Sequence, residues 1–83
     1  MELPTPDRIV DARGTFCPVP ILETAKAVKG LGPGQVLLVL ATDPGIESDM
    51  AFWCKSTKHE YLGLDREGTE FRAWVRTKGG EGR

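Results

Sequence analysis

The chain has 83 residues, of which 40% are hydrophobic and 28% are charged, and its formal net charge is −1. This length predicts one domain with a modest core, which disfavours a large cofactor or a deep, closed substrate pocket. Charges of both signs are interspersed without the basic excess of nucleic-acid-binding domains, and no apolar run approaches the roughly 18 residues of a membrane span.

The first predicted elements are a short strand and a helix. Residues 8–12 are expected to form the strand. The helix is predicted to begin at Pro18 or Pro20 and to end near Leu31, before a glycine–proline–glycine stop signal. Its apolar residues recur at helical spacing, so we expect them to form one buried stripe. They are Ile21, Leu22, Ala25, Val28 and Leu31.

A second strand and a second helix follow. The uninterrupted apolar run at 36–41 predicts a central strand. Because this run does not alternate, the open face of the sheet is expected to be apolar at its centre and to be a candidate partner surface. Asp43 is predicted as the N-cap of the second helix and Pro44 as its first residue. The apolar stripe of that helix is Ile46, Met50, Trp53, Cys54 and Thr57.

Two strands close the predicted domain, at 61–65 and 69–77, with a glycine-containing turn between them. The order strand, helix, strand, helix, strand, strand predicts an α+β fold. We expect a two-layer α/β sandwich, in which two helices cover one face of a four-stranded mixed sheet. The predicted domain spans 8–78, and the ends at 1–7 and 79–83 are expected to be loose.

Cys17 stands directly before Pro18 and three residues before Pro20. A residue before proline is disfavoured in helical geometry, whereas proline is tolerated in a first turn, so we expect Cys17 at the entrance of the first helix. The positive end of a helix stabilises a thiolate, and Arg13 and Lys26 are candidates for further electrostatic support. On position alone, a reactive thiolate and a small buried cysteine both remain open.

Cys54 lies on the apolar stripe of the second helix, where burial raises the pKa of a thiol, so we expect a structural role. With few cysteines and no signal peptide at 1–6, we expect reduced thiols in the cytoplasm, and a disulfide between the two cysteines is the minor alternative. Cys17, Cys54 and His59 lack paired-ligand spacing, so no metal site is expected. His59 is instead interpreted as a partner of the helix dipole.

Several stretches together point to one known family. They are Asp11-Ala12-Arg13-Gly14, Cys17-Pro18-Val19-Pro20-Ile21-Leu22-Glu23-Thr24, Gly34-Gln35, Ala41-Thr42-Asp43-Pro44-Gly45-Ile46, Asp49, Trp53-Cys54 and His59-Glu60. In these stretches the chain resembles the TusA/SirA family of sulfur-carrier proteins, across nearly its whole length. The cysteine–proline–x–proline motif, in that order and context, is the specific part of the resemblance.

The resemblance implies a fold like the C-terminal domain of translation initiation factor three. It also implies that Cys17 carries sulfur as a persulfide, with Pro18 and Pro20 shaping the helix start and with no other cofactor. The implied partners are a cysteine desulfurase or rhodanese-like sulfur donor and a downstream sulfur-acceptor protein, for tRNA thiolation, molybdenum-cofactor supply or sulfur oxidation. Phe16 and Val19 depart from the basic and acidic residues of many relatives, so the identity of the partners is not carried over.

Other functions remain as alternatives. Trp74 lies between Arg72 and Arg76, and an aromatic residue flanked by arginines can stack on bases, which makes an RNA- or protein-binding regulatory module without sulfur turnover the second candidate. The diglycine at 79–80 is followed by three more residues, which disfavours a C-terminal thiocarboxylate. Whether such a sulfurtransferase-like carrier counts as an enzyme stays open, because it would act with partner proteins.

Overall fold

The computed structural model of the chain describes residues 5–78. Its elements are β1 (Arg8–Asp11), α1 (Val19–Val28), β2 (Val36–Ala41), α2 (Ile46–Thr57), β3 (Glu60–Glu67) and β4 (Glu70–Arg76). This confirms the predicted order and type of every element. The predicted loose ends lie largely outside the described residues, which exclude 1–4 and 79–83.

The four strands form one mixed sheet in the order β1-β2-β4-β3. β1 pairs with β2 in parallel, and β4 pairs antiparallel with both β2 and β3. Both helices pack on the sheet, so the predicted two-layer α+β sandwich is confirmed. The helix α1 connects β1 to β2. This connection allows the two strands to be parallel, because parallel neighbours need a crossover rather than a tight turn.

The core lies between the helices and the sheet. Alternate residues of β2 and β4 enter it, because successive side chains of a strand point to opposite faces. The residues with no exposed surface include Leu37, Val39, Ala41, Ala73, Val75 and Met50. The predicted alternation of β4 and the predicted buried stripe of α2 are therefore both confirmed.

The buried face of α1 differs from the predicted stripe. Leu22 is 55% exposed, whereas Pro20, Thr24, Ala27 and Val28 are buried. Burial of the Thr24 hydroxyl is compatible with the core because it donates a hydrogen bond of 2.8 Å to the Pro20 carbonyl. The spacing of apolar residues alone therefore predicted a face of α1 that is rotated from the face that packs on the sheet.

The helix boundaries are also narrower than predicted. α1 ends at Val28, because Gly30 and Leu31 donate to carbonyls three residues earlier rather than four, which tightens the chain into a turn. α2 begins at Ile46 with Gly45 at the N-cap, so the assignment of Asp43 as the N-cap was wrong. Asp43 Oδ1 instead accepts from the Gly45 amide at 3.1 Å and closes the turn before the helix.

The hairpin between β3 and β4 is tighter than predicted. Glu67 pairs with Glu70, so only Gly68 and Thr69 form the loop, and Arg66 belongs to the strand. Gly68 has a φ of 63°, a conformation that glycine adopts at no steric cost and that a two-residue hairpin loop requires. Strand pairing therefore extends to the turn.

The open face of the sheet is apolar at its centre, as predicted, but the protein covers most of it. Leu38 is only 8% exposed, because its paired neighbours on the two adjoining strands are Ile9 and Trp74. Trp74 Nε1 is buried and has no hydrogen-bond partner among the described residues. Ile9 is the exposed large hydrophobic residue of this face.

Candidate functional site

Cys17 lies on the surface immediately before α1. It is exposed and not part of a disulfide, and Pro18 occupies the N-cap position of the helix. The peptide bond between Cys17 and Pro18 is cis. The predicted place of Cys17 at the entrance of α1 is therefore confirmed, and its thiol is open to a partner.

A groove of about 280 Å³ begins at the Cys17 thiol and runs between the two helices. The side that precedes and includes α1 contributes Cys17, Pro18 and Ile21. The α2 side contributes Asp49, Phe52, Trp53 and Ser56. The groove thus combines a nucleophilic sulfur, an apolar lining and one carboxylate, and we call it the Cys17 groove.

Two carboxylates act on Cys17. The Cys17 amide donates a hydrogen bond of 2.8 Å to Asp43 Oδ2. The pKa of the Cys17 thiol is raised above its ordinary value, mainly by its hydrogen bond to the Asp49 carboxylate, and further by desolvation and by the negative charges of Asp49 and Asp43. These carboxylates favour the protonated thiol and so oppose the stabilisation of a thiolate that the helix end alone would give.

The helix N-terminus fails to offset those carboxylates for a structural reason. Pro18 and Pro20 have no amide hydrogen, so two of the first-turn donors that would meet an anion are missing. The amide of Cys17 itself is already engaged by Asp43. The main cause of the raised pKa of Cys17 is its hydrogen bond to the Asp49 carboxylate, which comes from the neighbouring helix α2.

The two basic residues predicted to support Cys17 are engaged elsewhere. Arg13 forms ion pairs with Asp11 at 2.8 Å and with Glu70 at 3.1 Å, and the Arg13 hydrogen bonds lower the pKa of Asp11 to about 2. Lys26 pairs with Glu23 at 3.6 Å. The groups that act on the Cys17 thiol are Asp49 and Asp43, so the structure does not bring the predicted support to it.

Cys54 is buried in the core, with 2% of its surface exposed. Desolvation raises the pKa of its thiol to about 11. The structural role predicted for Cys54 agrees with this environment, because a protonated, enclosed thiol is neither a nucleophile nor accessible to one.

This contrast predicts selective alkylation of the folded protein. At neutral pH, iodoacetamide should modify Cys17 and leave Cys54 unmodified until denaturant exposes it, with rates at the two sites differing by at least about 100-fold because one thiol is enclosed and carries the higher pKa. Peptide mass spectrometry of samples quenched over time measures both rates. Comparable rates at the two thiols in the native protein would contradict the burial of Cys54.

Four exposed large hydrophobic residues either line the Cys17 groove or lie close in sequence to residues that line it. Phe16 and Val19 flank the Cys17–Pro18 pair, Leu22 lies one turn further along α1, and Phe52 lines the groove from α2. Phe16 and Phe52 are more than 70% exposed, at 72% and 71%. We call these four residues the apolar rim, and exposed apolar surface of this kind marks interaction sites.

His59 follows the C-cap residue of α2, and its role as a partner of the helix dipole stays a prediction. It is 6% exposed, stacks on Trp53 with ring centroids 5.2 Å apart, and its Nδ1 accepts from the Lys78 amide at 3.2 Å. Within residues 5–78, no group of three histidine, cysteine or acidic side chains is placed to hold a metal ion.

Sequence reasoning missed Asp43, Asp49, Phe52 and Leu22 as site residues. Asp43 and Asp49 were assigned to the cap and to the family pattern, and only the packing of α2 beside α1 brings them to Cys17. Phe52 offered a usable signal, because it is a large apolar residue on the polar side of an otherwise amphipathic helix.

Residues 8–77 match the family model described as "Sulfurtransferase TusA". The chain belongs to the TusA sulfurtransferase family. It is 49% identical over 73 residues to "Putative sulfur carrier protein YrkF" of Bacillus subtilis strain 168, a match that covers 88% of this chain but only 39% of that protein. It is also 42% identical over 69 residues to the similarly named YrkI of the same organism, covering 83% of this chain and 92% of YrkI.

A solved structure supports the fold of this TusA-family chain. The crystal structure of a SirA-like protein from Desulfitobacterium hafniense superposes with a TM-score of 0.75. The match covers 86% of this chain and 97% of that chain, at 21% sequence identity. At this identity the likeness concerns the fold alone.

Proposed function

We propose that this protein carries sulfane sulfur as a persulfide on Cys17 and relays it to an acceptor protein. Membership of the TusA family and the names of two relatives support a sulfur-carrier role. The observation that carries the assignment to Cys17 is the contrast between the two thiols. Cys17 is exposed beside an apolar rim, whereas Cys54 is enclosed.

The chemistry requires little more than an accessible sulfur. In thiol–persulfide exchange, a thiolate attacks the outer sulfur of a donor persulfide and the donor leaves as a thiolate. The open Cys17 groove suits such an exchange, because two proteins must bring two sulfur atoms into contact. Pro18 at the N-cap keeps Cys17 outside the helix, which leaves its thiol at the surface.

The proposed partners are a sulfur donor of the cysteine desulfurase or rhodanese-like class and a downstream protein acceptor. The apolar rim supports a protein partner, since interface cores are enriched in aromatic residues. No helix within residues 5–78 is long and apolar enough to cross a membrane. We place the carrier in the cytoplasm, where thiols stay reduced.

The surface around Trp74 gives little support to the RNA-binding alternative. Arg72 pairs with Asp65 at 2.8 Å, and Arg76 pairs with Glu60 at 3.1 Å. Guanidinium groups already engaged by carboxylates are poor phosphate ligands, because binding must first break those pairs. The open sheet face is therefore the weaker candidate site.

The proposal is tested by loading and relay. Wild-type protein is incubated with a cysteine desulfurase and cysteine, separated from them, and examined by intact mass spectrometry. We expect the mass of one sulfur atom to be gained and to be removed by reductant, whereas a sulfinic acid of similar added mass survives reduction. The loaded protein should then transfer this sulfur to a second thiol protein. Absence of loading from both desulfurase and polysulfide, together with salt-dependent RNA binding, would favour the alternative.

A further inference from the structure

We propose that Asp49 restrains the Cys17 thiol in the free carrier and selects sulfur donors that bring a basic side chain into the Cys17 groove. The inference rests on the proposed function and adds to it the chemical character of the docking partner. The partner is a protein segment with an arginine or lysine close to its own persulfide.

The geometry that supports this begins with the place of Asp49. Asp49 stands in the first turn of α2 and lines the same groove as Cys17. A hydrogen bond from the Cys17 thiol to the Asp49 carboxylate is the main cause of the raised pKa of Cys17. Asp43 holds the backbone of Cys17 from the turn before α2, at 2.8 Å from the Cys17 amide nitrogen to Oδ2. Cys17 is thus held by the α2 side of the groove through both its side chain and its backbone.

The charges that face the thiol are of one sign. α2 and the turn before it contribute Asp49 and Asp43. The α1 side of the groove contributes Pro18 and Ile21, which carry no charge. The nearest basic residues along the chain, Arg13 and Lys26, are paired with Asp11, Glu70 and Glu23. A ligand that enters the groove therefore meets a negative potential over an apolar lining.

Docking and activation then have a common cause. A partner that covers the groove removes water from the Asp49 carboxylate, and burial of an unpaired charge is costly, so a partner with a cation at that point is favoured over one without. The same cation offsets the charge that holds the thiol protonated. The thiol becomes a nucleophile when such a partner is present.

The transfer step balances without an added oxidant or reductant. With the partner cation in place, Cys17 Sγ releases its proton to solvent and, as the thiolate, attacks the outer sulfur of the donor persulfide. The new Sγ–S bond forms as the donor S–S bond breaks, and the electron pair of that bond leaves on the donor thiolate, which then takes a proton. A thiol and a persulfide give a persulfide and a thiol.

Two disulfides serve as probes because they present the charge without a protein. Cystamine carries two ammonium groups and hydroxyethyl disulfide is neutral. The rate at which each forms a mixed disulfide with Cys17 is followed by intact mass spectrometry at low salt, where electrostatic effects are largest. For each variant, the rate with cystamine is divided by the rate with hydroxyethyl disulfide, which gives its preference for the charged reagent. Comparing this preference between variants removes the intrinsic reactivities of the two reagents.

The test variant is Asp49→Asn, and the matched control is Glu47→Gln. Glu47 is the other acidic residue in the first turn of α2, so its loss affects the helix dipole similarly. Glu47 is exposed and acts on Tyr61 rather than on Cys17. Asp49→Glu keeps the charge and provides a second variant if the amide perturbs folding, which thermal unfolding monitors.

In Asp49→Asn we expect hydroxyethyl disulfide to react several-fold faster than in wild type, because a larger fraction of Cys17 is thiolate. The preference for cystamine should fall by about threefold to tenfold, the size of one charge interaction at short range. Glu47→Gln and Asp49→Glu should keep most of the preference. An unchanged preference in Asp49→Asn, with the fold intact, overturns the inference. Failure of polysulfide to load wild-type Cys17 instead overturns the proposed function and leaves these rate ratios unaffected.

Discussion

Replacing Cys17 with serine is expected to abolish the gain of reductant-labile sulfur completely. A hydroxyl oxygen cannot form a persulfide, and the enclosed Cys54 thiol, with a pKa of about 11, cannot substitute for the missing nucleophile. Because Cys17 is exposed, its replacement should change the free energy of unfolding by no more than about 0.5 kcal/mol. Intact mass spectrometry after loading and urea unfolding of the same sample measure both effects.

The matched control is Cys54→Ala. This variant should load sulfur to the wild-type extent, although it loses buried contacts in the core and should be less stable by about 1 kcal/mol. The two variants therefore have opposite expected effects. Cys17→Ser loses sulfur loading and keeps its stability, whereas Cys54→Ala keeps sulfur loading and loses stability. Sulfur loading of Cys17→Ser at the wild-type level would remove Cys17 from the mechanism.

Truncating Leu37 to alanine is expected to produce the largest loss of stability. Leu37 has no exposed surface and lies in β2, the strand that pairs with both β1 and β4. Removing its side chain deletes core contacts and leaves a cavity, at a cost of about 3 kcal/mol. A small domain has a total stability of about 5–10 kcal/mol, so the urea midpoint should fall steeply.

Ile9→Ala provides the control for Leu37→Ala. Ile9 lies on the neighbouring strand β1 and loses the same class of apolar side chain, but it is 57% exposed. The cost should be well under half of that at Leu37, because much of the removed surface already faces water. Equal losses of stability at the two positions would contradict the placement of the core between the sheet and the helices.

The architecture was predictable because each element carries a local signal. The apolar run at 36–41, the alternation of β4 and the stripe of α2 depend on residues that are close in sequence, and all three were confirmed. The rotation of α1 was not predictable in the same way. Leu22 is exposed, whereas Thr24 is buried with its hydroxyl bonded to the Pro20 carbonyl of the same helix, and hydrophobicity alone reveals neither.

The position of Cys17 was predictable, but its electrostatics were not. Cys17-Pro18 specifies a cysteine before a helix, a local property. The pKa of its thiol depends on Asp49 and Asp43, which come from another element and reach the sulfur only after α2 packs beside α1. The end of α1 alone would lower the pKa of the Cys17 thiol. The Asp49 carboxylate of the neighbouring helix α2 is the main reason that this pKa is raised instead.

A protonated Cys17 thiol is consistent with a carrier that must survive between encounters. Oxidation to sulfenic and sulfinic acids follows thiolate character and exposure, and Cys17 is exposed. By raising the pKa of this thiol, Asp49 lowers the thiolate fraction available to small oxidants. The exposure that the proposed relay between proteins requires is thereby combined with a lower thiolate fraction in the free protein.

The most direct test of the account is to locate the sulfur in the wild-type protein. After loading by polysulfide, free thiols and persulfides are alkylated with iodoacetamide, and the protein is digested with trypsin without reductant. Cleavage after Arg13 and Lys26 gives the fragment 14–26, which contains Cys17, whereas Cys54 falls in the fragment 30–55. The account predicts that tandem mass spectrometry finds the additional sulfur on Cys17 in fragment 14–26. Additional sulfur on Cys54 in fragment 30–55, with fragment 14–26 unmodified by sulfur, would contradict it.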